Sequence, residues 1–333
     1  MVALEKKERT RLAILHRETE IIPYHIWYTP PVERFLQRHY GMEDVDEAIG
    51  NHLLLVGGKR TRPLYADPKI YGDFTEDEFG VIWRNTPYDR GHVYRYPLKE
   101  PTLKGYEFPD PRRPDRFDHV AEALEAKPEV FAVGVVGDLW ERCYFMMEFM
   151  KLIRALFTAP NFVEELLDRL TEYNLATLEE LSRFPIDAIF ISDDYGYQHG
   201  LQMSLSHWQR FIKPRLKRIF ECAKSRGLFT FLHSDGDITL ILPDLIEIGL
   251  DVLNPVQPEA MDPYEVKRRF GDKLCLWGAI GTQRLLNHGR AEDVRKEVER
   301  AKRELAEDGG YILGPAINLQ TDCPPENVLT LIE

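Results

Sequence analysis

The chain has 333 residues, a formal net charge of −12 and a pI near 5.4. This length allows one large α/β domain with a substantial core, and the acidic balance disfavours nucleic acid and anionic membranes as partners. A small-molecule substrate is therefore expected. The charged amino terminus differs from a signal peptide, no apolar stretch has membrane-spanning length and the four cysteines form no CxxC pair, so we expect a cytoplasmic protein with reduced thiols.

Apolar runs of strand length alternate with helical stretches along the chain and predict eight strands. The predicted strands are Pro23–Tyr28, His52–Val56, Val130–Val136, Ala188–Ser192, Leu228–Leu232, Val252–Pro255, Leu274–Ala279 and Tyr311–Pro315. Eight strands with intervening helices indicate an α/β protein with a closed (β/α)8 barrel, the TIM barrel. No linker divides the sequence, so residues 1–333 are expected to form a single barrel domain.

The stretch 63–114 is rich in proline, tyrosine, arginine and aspartate and has little periodicity. Such a length without regular structure is uncommon inside a compact domain. It predicts either a lid or binding loop over the barrel mouth, or a packed surface meander. In the first case Trp83 and several tyrosines would frame an aromatic ligand.

His233 and Asp235 follow directly on the predicted strand Leu228–Leu232. Residues two apart in an extended chain point to the same side, so an imidazole and a carboxylate can meet at one point. Active sites of parallel α/β barrels lie at this end of the strands, which favours a catalytic or metal-binding pair. The alternative is a hydrogen-bonded core histidine and an aspartate that caps the next helix.

Two adjacent carboxylates, Asp193 and Asp194, follow the predicted strand Ala188–Ser192. Both cannot face the barrel axis, since neighbouring side chains of an extended chain alternate in direction. We expect Asp194 to face the cavity as a ligand or general base, and Asp193 to lie beside it as a substrate contact or loop cap. Tyr195 and Tyr197 in the same loop are predicted to contact the substrate.

Four further residues near strand ends are candidates for the site. Glu141, after the strand Val130–Val136, is either a third oxygen ligand or acid, or a glutamate that favours a helix start. Asn254 and Gln257 have amides suited to substrate hydrogen bonding, or to turn formation. Trp277 either lines the cavity or packs in the core, and packing is the commoner role.

Several familiar motifs are missing from the sequence. It has no Walker phosphate loop, no HExxH, no GxSxG nucleophile elbow and no well-placed GxGxxG. These absences leave nucleotide-dependent, zincin and serine-hydrolase chemistries without positive support. No nucleotide cofactor is therefore expected, and the chemistry is expected to depend on the acidic and imidazole side chains at the strand ends.

Four segments in this order and spacing resemble the uroporphyrinogen decarboxylase superfamily. They are ISDDYGYQHG, FLHSDGDITLILPDLIEIGLDVLNPVQPEAMDP, LWGAIGTQ and YILGPAINLQTDCPPENV. The resemblance implies a (β/α)8 barrel with helical amino-terminal additions, often a homodimer. Asn318, in the last of these segments, is predicted to bind the substrate. The superfamily contains porphyrinogen decarboxylases and methyltransferases that serve corrinoid proteins, so either activity is implied.

The decarboxylases of that superfamily have an arginine-rich RQAGR motif after the first strand, where it holds the carboxylates of the substrate. The corresponding stretch here, residues 27–34, reads WYTPPVER and lacks the motif. An octa-anionic porphyrinogen would leave its charges unpaired in such a pocket, at a cost of several kcal/mol. Uroporphyrinogen is therefore disfavoured as the substrate.

The thiol-methylating branch of the superfamily binds zinc through His-x-Cys and a distant cysteine. By resemblance His233 matches the histidine, Asp235 stands at the first cysteine and Ile317 lies at or near the second. Zinc could still bind through nitrogen and oxygen ligands, provided by His233, Asp235 and either Glu141 or Asp194.

The resemblance thus leaves three functions open. The first is transfer of a methyl group from a small donor, such as a methoxylated aromatic, to the cobalamin-type corrinoid of a partner protein. The second is decarboxylation of a carboxylic acid. The third is non-catalytic binding of a small molecule, since both thiolate positions of the zinc site are replaced.

Overall fold

The computed structural model describes residues 5–333. Its strands, in chain order, are β1 (Leu53–Gly57), β2 (Phe74–Glu76), β3 (Ile82–Arg84), β4 (His92–Arg95), β5 (Phe131–Gly137), β6 (Ala188–Ser192), β7 (Gly196–Tyr197), β8 (Gly200–Leu201), β9 (Phe229–His233), β10 (Val252–Asn254), β11 (Cys275–Ile280) and β12 (Tyr311–Pro315).

The α-helices, in chain order, are α1 (Lys6–Ile14), α2 (Pro30–Tyr40), α3 (Val45–Ile49), α4 (Pro68–Tyr71), α5 (Asp118–Ala126), α6 (Trp140–Met146), α7 (Phe149–Thr158), α8 (Pro160–Leu181), α9 (Leu205–Phe211), α10 (Lys213–Lys224), α11 (Leu242–Glu247), α12 (Pro263–Phe270), α13 (Ala291–Glu304) and α14 (Pro325–Ile332). A 3-10 turn at Thr239–Ile241 and a π-helical turn at Thr282–Leu286 complete the helical elements. Within residues 5–333, no helix is both long and apolar enough to cross a membrane.

Seven strands form one curled parallel sheet in the order β1, β5, β6, β9, β10, β11 and β12. Each neighbouring pair is parallel, and helices lie between successive strands. Helices α1, α2 and α3 precede the first strand of this sheet. The prediction of a TIM-barrel fold with helical amino-terminal additions is confirmed.

The eighth predicted strand, Pro23–Tyr28, lies between the two edges of this sheet without forming a continuous ladder. Tyr24 bridges Leu313 of β12 in parallel, and its carbonyl accepts the His52 N–H at 3.0 Å just before β1. The Asn51 side chain replaces a neighbouring strand, since its Oδ1 accepts the Ile26 N–H at 2.8 Å. Residues 23–28, Asn51 and His52 are called the barrel seam below.

Two apolar cores lie on opposite sides of the barrel wall. Inside the barrel, Phe131, Phe231 and Trp277 are fully buried and fill the cross-section. A larger core separates the strands from the surrounding helices and includes Leu166 and Leu170 of α8. Because the strands are apolar on both faces, they appear in the sequence as continuous apolar runs, as expected for a buried parallel sheet.

The stretch 63–114 has more regular structure than its sequence indicates, which corrects that part of the prediction. Strands β2, β3 and β4 form an antiparallel sheet, so the segment is not a structureless meander. Trp83 of β3 is 3% exposed and donates its indole N–H to Asp77 Oδ2 at 2.9 Å. It packs against Phe145 and therefore holds the segment on the barrel instead of framing a ligand.

Candidate active site

Three ionisable side chains meet at the carboxyl ends of strands β6 and β9. His233 ends β9 opposite Ser192 of β6, and Asp194 and Asp235 each follow their strand by two residues. The His233 Nε2 lies 3.7 Å from Asp194 Oδ1 and 3.8 Å from Asp235 Oδ1. These three residues are called the acidic-histidine cluster below. The structure thus brings together three of the four predicted catalytic residues.

The orientation of the His233 ring is fixed by Asn254. The Asn254 amide donates to the Trp277 carbonyl at 3.1 Å, so its Oδ1 faces His233 Nδ1 at 2.6 Å. The acceptor at that position requires Nδ1 to carry a proton. The other ring nitrogen, Nε2, is consequently directed at the two carboxylates, which is the arrangement that a ligand or a proton donor needs.

Charge and burial shift the pKa of every member of the cluster. Burial raises the pKa of Asp194 and of Asp235 above the ordinary value, against the opposing effect of His233. Burial acts to lower the pKa of His233, but Asp235 and Asp194 outweigh it, so that pKa is raised. Such mutual perturbation inside a cleft is typical of functional sites.

The loops that hold the two aspartates are joined backbone to backbone. Gly236 has φ +81°, and a Cβ there would lie 2.6 Å from Tyr197 N. The Asp237 N–H donates to the Tyr197 carbonyl at 2.9 Å, and the Asp235 N–H donates to Asp194 Oδ1 at 2.8 Å. Only a glycine permits this approach, so the loop after β9 stays in register with the β7–β8 hairpin.

Glu141 lies near the cluster but is paired with another residue. Its Oε1 lies 3.0 Å from Arg90 Nη2, and the glutamate is 5% exposed. Burial raises the pKa of Glu141, while Arg90 acts in the opposite direction. The metal-ligand prediction for Glu141 is therefore corrected: within residues 5–333, the three groups close enough to share an ion are Asp194, His233 and Asp235.

Asp193 and Tyr195 do not reach the cavity, so their predicted substrate contacts are corrected. Asp193 has no exposed surface, and its carboxylate accepts the backbone N–H groups of Trp140 at 3.0 Å and Glu141 at 2.6 Å. Burial raises its pKa to about 8, whereas these donors act to lower it. Tyr195 is also fully buried and packs against Trp208.

Asn254 and Trp277 are structural neighbours of the cluster. Asn254 is 3% exposed, and its amide is occupied by His233 and the Trp277 carbonyl. Trp277 has no exposed surface and contacts Trp27 with ring centroids 4.9 Å apart. The substrate-binding prediction is corrected for both, and the packing alternative stated for Trp277 holds.

An aromatic floor lies below His233. The Trp27 and Phe190 ring centroids lie 6.5 Å and 6.3 Å from the imidazole centroid, and 6.0 Å from each other. Trp27 is only half-buried, whereas Phe190 is 3% exposed. The sequence prediction missed Trp27, although a tryptophan inside a predicted barrel strand was a usable signal.

A polar cleft of about 370 Å³ opens beside Asp235. Tyr197, Gln257 and Asn318, all predicted to bind substrate, line it. It is rich in side-chain amides, which come from Gln198, Gln257, Gln283, Asn287, Asn318 and Gln320. Its lining residues include Asp235 and Asp322 but no lysine or arginine. We call it the amide cleft below.

Comparison with known proteins places this geometry in a family. The sequence model described as "Uroporphyrinogen decarboxylase (URO-D)" matches residues 82–333, which is most of the chain. The chain belongs to the uroporphyrinogen decarboxylase family. The resemblance found in the sequence is thereby confirmed, and the matched region includes the acidic-histidine cluster and the amide cleft.

Relatives within the family are distant. The uroporphyrinogen decarboxylase of Methylococcus capsulatus is 24% identical over 211 residues, or 60% of this chain and 57% of that protein. That of Legionella pneumophila (strain Corby) is 24% identical over 258 residues, or 73% of this chain and 70% of that protein. A solved methyltransferase from Methanosarcina mazei has a TM-score of 0.72 at 20% identity and covers 99% of this chain and 97% of that one. The likeness shows a shared fold.

The cluster of this family member has a donor set that suits a divalent cation. Its three candidate ligand atoms lie within 4.8 Å of one another. A tetrahedral ion with bonds of about 2.1 Å would separate them by about 3.4 Å, so small movements would be enough. One imidazole nitrogen and two carboxylate oxygens fit zinc, and the hydrogen bond from Nδ1 to Asn254 leaves Nε2 free to bind it.

Proposed function

We propose that this protein transfers a methyl group from a small methoxylated aromatic to the cobalt of a corrinoid held by a partner protein. The supporting observation is the amide cleft beside Asp235, whose lining has two carboxylates and no lysine or arginine. Eight porphyrinogen carboxylates would be repelled there and left without partners, at a cost of several kcal/mol. Neutral amides suit an uncharged polar surface, such as the carboxamide-rich rim of a corrin ring.

The proposed reaction breaks one bond and forms one. The electron pair of cobalt(I) attacks the methyl carbon, the carbon–oxygen bond breaks, and its electron pair stays on the phenolic oxygen. Cobalt becomes methylcobalt(III), and the oxygen takes one proton to give the phenol. Because a phenoxide leaves poorly while its charge is uncompensated, the enzyme has to supply that proton or an equivalent positive charge.

His233 is the residue placed to supply the proton. With Nδ1 bonded to Asn254, its Nε2 faces the cavity between Asp194 and Asp235. The two carboxylates favour the imidazolium form and hold its ring in the mouth. A divalent cation bound by the same three residues would polarise the ether oxygen as a Lewis acid.

The aromatic floor supports an aromatic donor. Trp27 is half-buried and forms the floor with Phe190, below the acidic-histidine cluster. An aromatic ring resting there gains apolar burial and edge or offset ring contacts, while its methoxy group lies at His233. The floor therefore positions the methyl carbon towards the open mouth, from which the corrinoid approaches.

The proposal is tested by mixing purified protein, 3-methoxyphenol and cob(I)alamin without oxygen and following methylcobalamin by its absorbance. Methylcobalamin should form with the wild type and with His288→Gln, an exposed control histidine, and should fail to form with His233→Gln. Absence of product from a panel of methoxyarenes, with metal-loaded and metal-free protein alike, would contradict methyl transfer.

Decarboxylation of a small acid is the second candidate function. It is favoured by the named activity of the curated relatives and by the raised pKa of Asp194 and Asp235, since a protonated carboxyl can donate to a carbanion. Carbon dioxide release from an aromatic acid, without methylcobalamin formation, would establish it in place of the first. Binding of either ligand without turnover would identify a non-catalytic binder.

A further inference from the structure

Arg60 is an unpaired cation at the barrel mouth. It follows the last residue of β1, Gly57, by three positions, and its side chain is exposed. Among the described residues it has neither an ion pair nor a hydrogen bond within the usual distances. Nearby Arg90 and Arg142 differ, because each forms an ion pair with a buried or half-buried carboxylate.

The carboxylates around Arg60 are already engaged. Asp138 lies within electrostatic range of it but accepts two hydrogen bonds from Arg142, at 3.1 Å and 3.0 Å. Glu78 is also in range, and its Oε2 accepts the Thr61 hydroxyl at 3.3 Å. Although the Arg60 side chain reaches solvent, the protein around it disfavours the charged form and lowers its pKa, and Arg142 acts in the same direction. The guanidinium nevertheless remains charged at neutral pH, and no described carboxylate pairs with it, so it is available to an anion that enters the mouth.

The position of Arg60 relative to the acidic-histidine cluster suits one small molecule. Strand β5 alone separates β1, which leads to Arg60, from β6, which leads to Asp194. Two strand spacings amount to about 10 Å, a length that a disubstituted aromatic ring can span. Arg90 lies within electrostatic range of both Arg60 and Asp194.

We propose that Arg60 binds the carboxylate of the methyl donor, so that the substrate class is the methoxylated aromatic acids. This inference rests on the proposed function, which puts the methoxy group at His233. The guanidinium fork matches a carboxylate with two parallel hydrogen bonds, and a single acid group satisfies it. The amide cleft, whose lining includes Asp235 but not Arg60, stays free for the uncharged rim of the methyl acceptor.

The experiment compares 3-methoxybenzoate with its neutral isostere 3-methoxybenzamide, each titrated into the protein by calorimetry without corrinoid. We expect the wild type to bind the acid about tenfold more tightly than the amide, as one charge-assisted hydrogen-bonded pair provides. Arg60→Gln should bind both ligands equally, and Arg60→Lys should keep part of the preference. Arg295 is an exposed arginine of α13, so Arg295→Gln removes the same charge elsewhere and should keep the full preference for the acid.

Two results would overturn the assignment of Arg60. One is an acid preference that survives in a folded Arg60→Gln protein, with folding checked by its melting temperature. The other is a wild type that does not prefer the acid, whether it binds both ligands equally or neither. Because no methyl acceptor is present, these results are independent of methyl transfer, and turnover of neutral methoxyarenes would leave the proposed function in place without this substrate class.

Discussion

The barrel mouth and the barrel seam both bury histidines, but with opposite electrostatic surroundings. At the mouth, His233 lies within 3.8 Å of two carboxylates, and its pKa is raised. In the seam, burial lowers the pKa of His25 to about 4 and that of His52 to about 3. No described carboxylate lies within ion-pair distance of either seam histidine. The comparison teaches that charged neighbours, more than burial, distinguish a reactive histidine from a structural one.

The largest expected effect is on catalysis at the mouth. His233→Gln should lower the rate of methyl transfer at least about 100-fold, because the leaving oxygen loses its proton or Lewis-acid partner. The protein should unfold at nearly the same urea concentration as the wild type. If zinc is bound, metal analysis should find about one ion per chain in the wild type and a strong loss in the variant. A variant that retains turnover would show that the mouth histidine is structural, as those of the seam are.

The next effect separates the two adjacent aspartates. Asp194→Asn should lower the rate of methyl transfer about tenfold or more, since one of the two carboxylates that support His233 is lost. Asp193→Asn should leave the rate per folded molecule within about twofold, because that side chain does not reach the cavity. Rates are compared after correction for the folded fraction. Equal losses in both variants would contradict the assignment.

A third prediction concerns stability at the same pair. Asp193→Ala should lower the free energy of unfolding by about 2 kcal/mol, because two buried N–H groups at the start of α6 lose their acceptor. Asp194→Ala should cost less, since its site lies at the open mouth. Urea unfolding followed by circular dichroism measures both, and a larger loss for Asp194 would reverse the structural and functional roles.

The last prediction concerns pH and the seam. The folded-state pKa of His52 lies below its unfolded value, so its contribution to stability is complete above about pH 6.5 and declines as the pH falls towards the folded value of about 3. Between pH 7.5 and pH 5 this decline amounts to about 2 kcal/mol. His52→Phe should remove it from the pH dependence of urea unfolding, whereas His288→Gln should not. An unchanged pH profile in His52→Phe would show that the folded-state pKa of His52 is not lowered, and would contradict the prediction.

Residues close to strand ends were the most predictable part of the site. His233, Asp194 and Asp235 follow apolar runs whose ends mark the carboxyl side of a parallel barrel, so sequence alone placed them together. Their neighbour Asp193 was not predictable in the same way. Alternation of side chains shows that one aspartate points away from the axis, but only the packed start of α6 shows which N–H groups donate to it.

Contacts from distant segments were beyond the reach of the sequence. Arg90 lies in the stretch 63–114, whose strands are only three or four residues long and give little periodic signal. Its ion pair with Glu141 joins residues 51 positions apart, and nothing local to either one indicates it. The sequence also did not show that residues 23–28 form an incomplete ladder. There the Asn51 side chain, in place of a neighbouring strand, forms hydrogen bonds with the Ile26 backbone.

The glycine contact between the β7–β8 hairpin and the loop after β9 has a consequence for ligand entry. Because Gly236 fixes the spacing of the two aspartates through the main chain, the carboxylates are preorganised before any ligand arrives. Binding then requires little reorganisation on this side of the pocket.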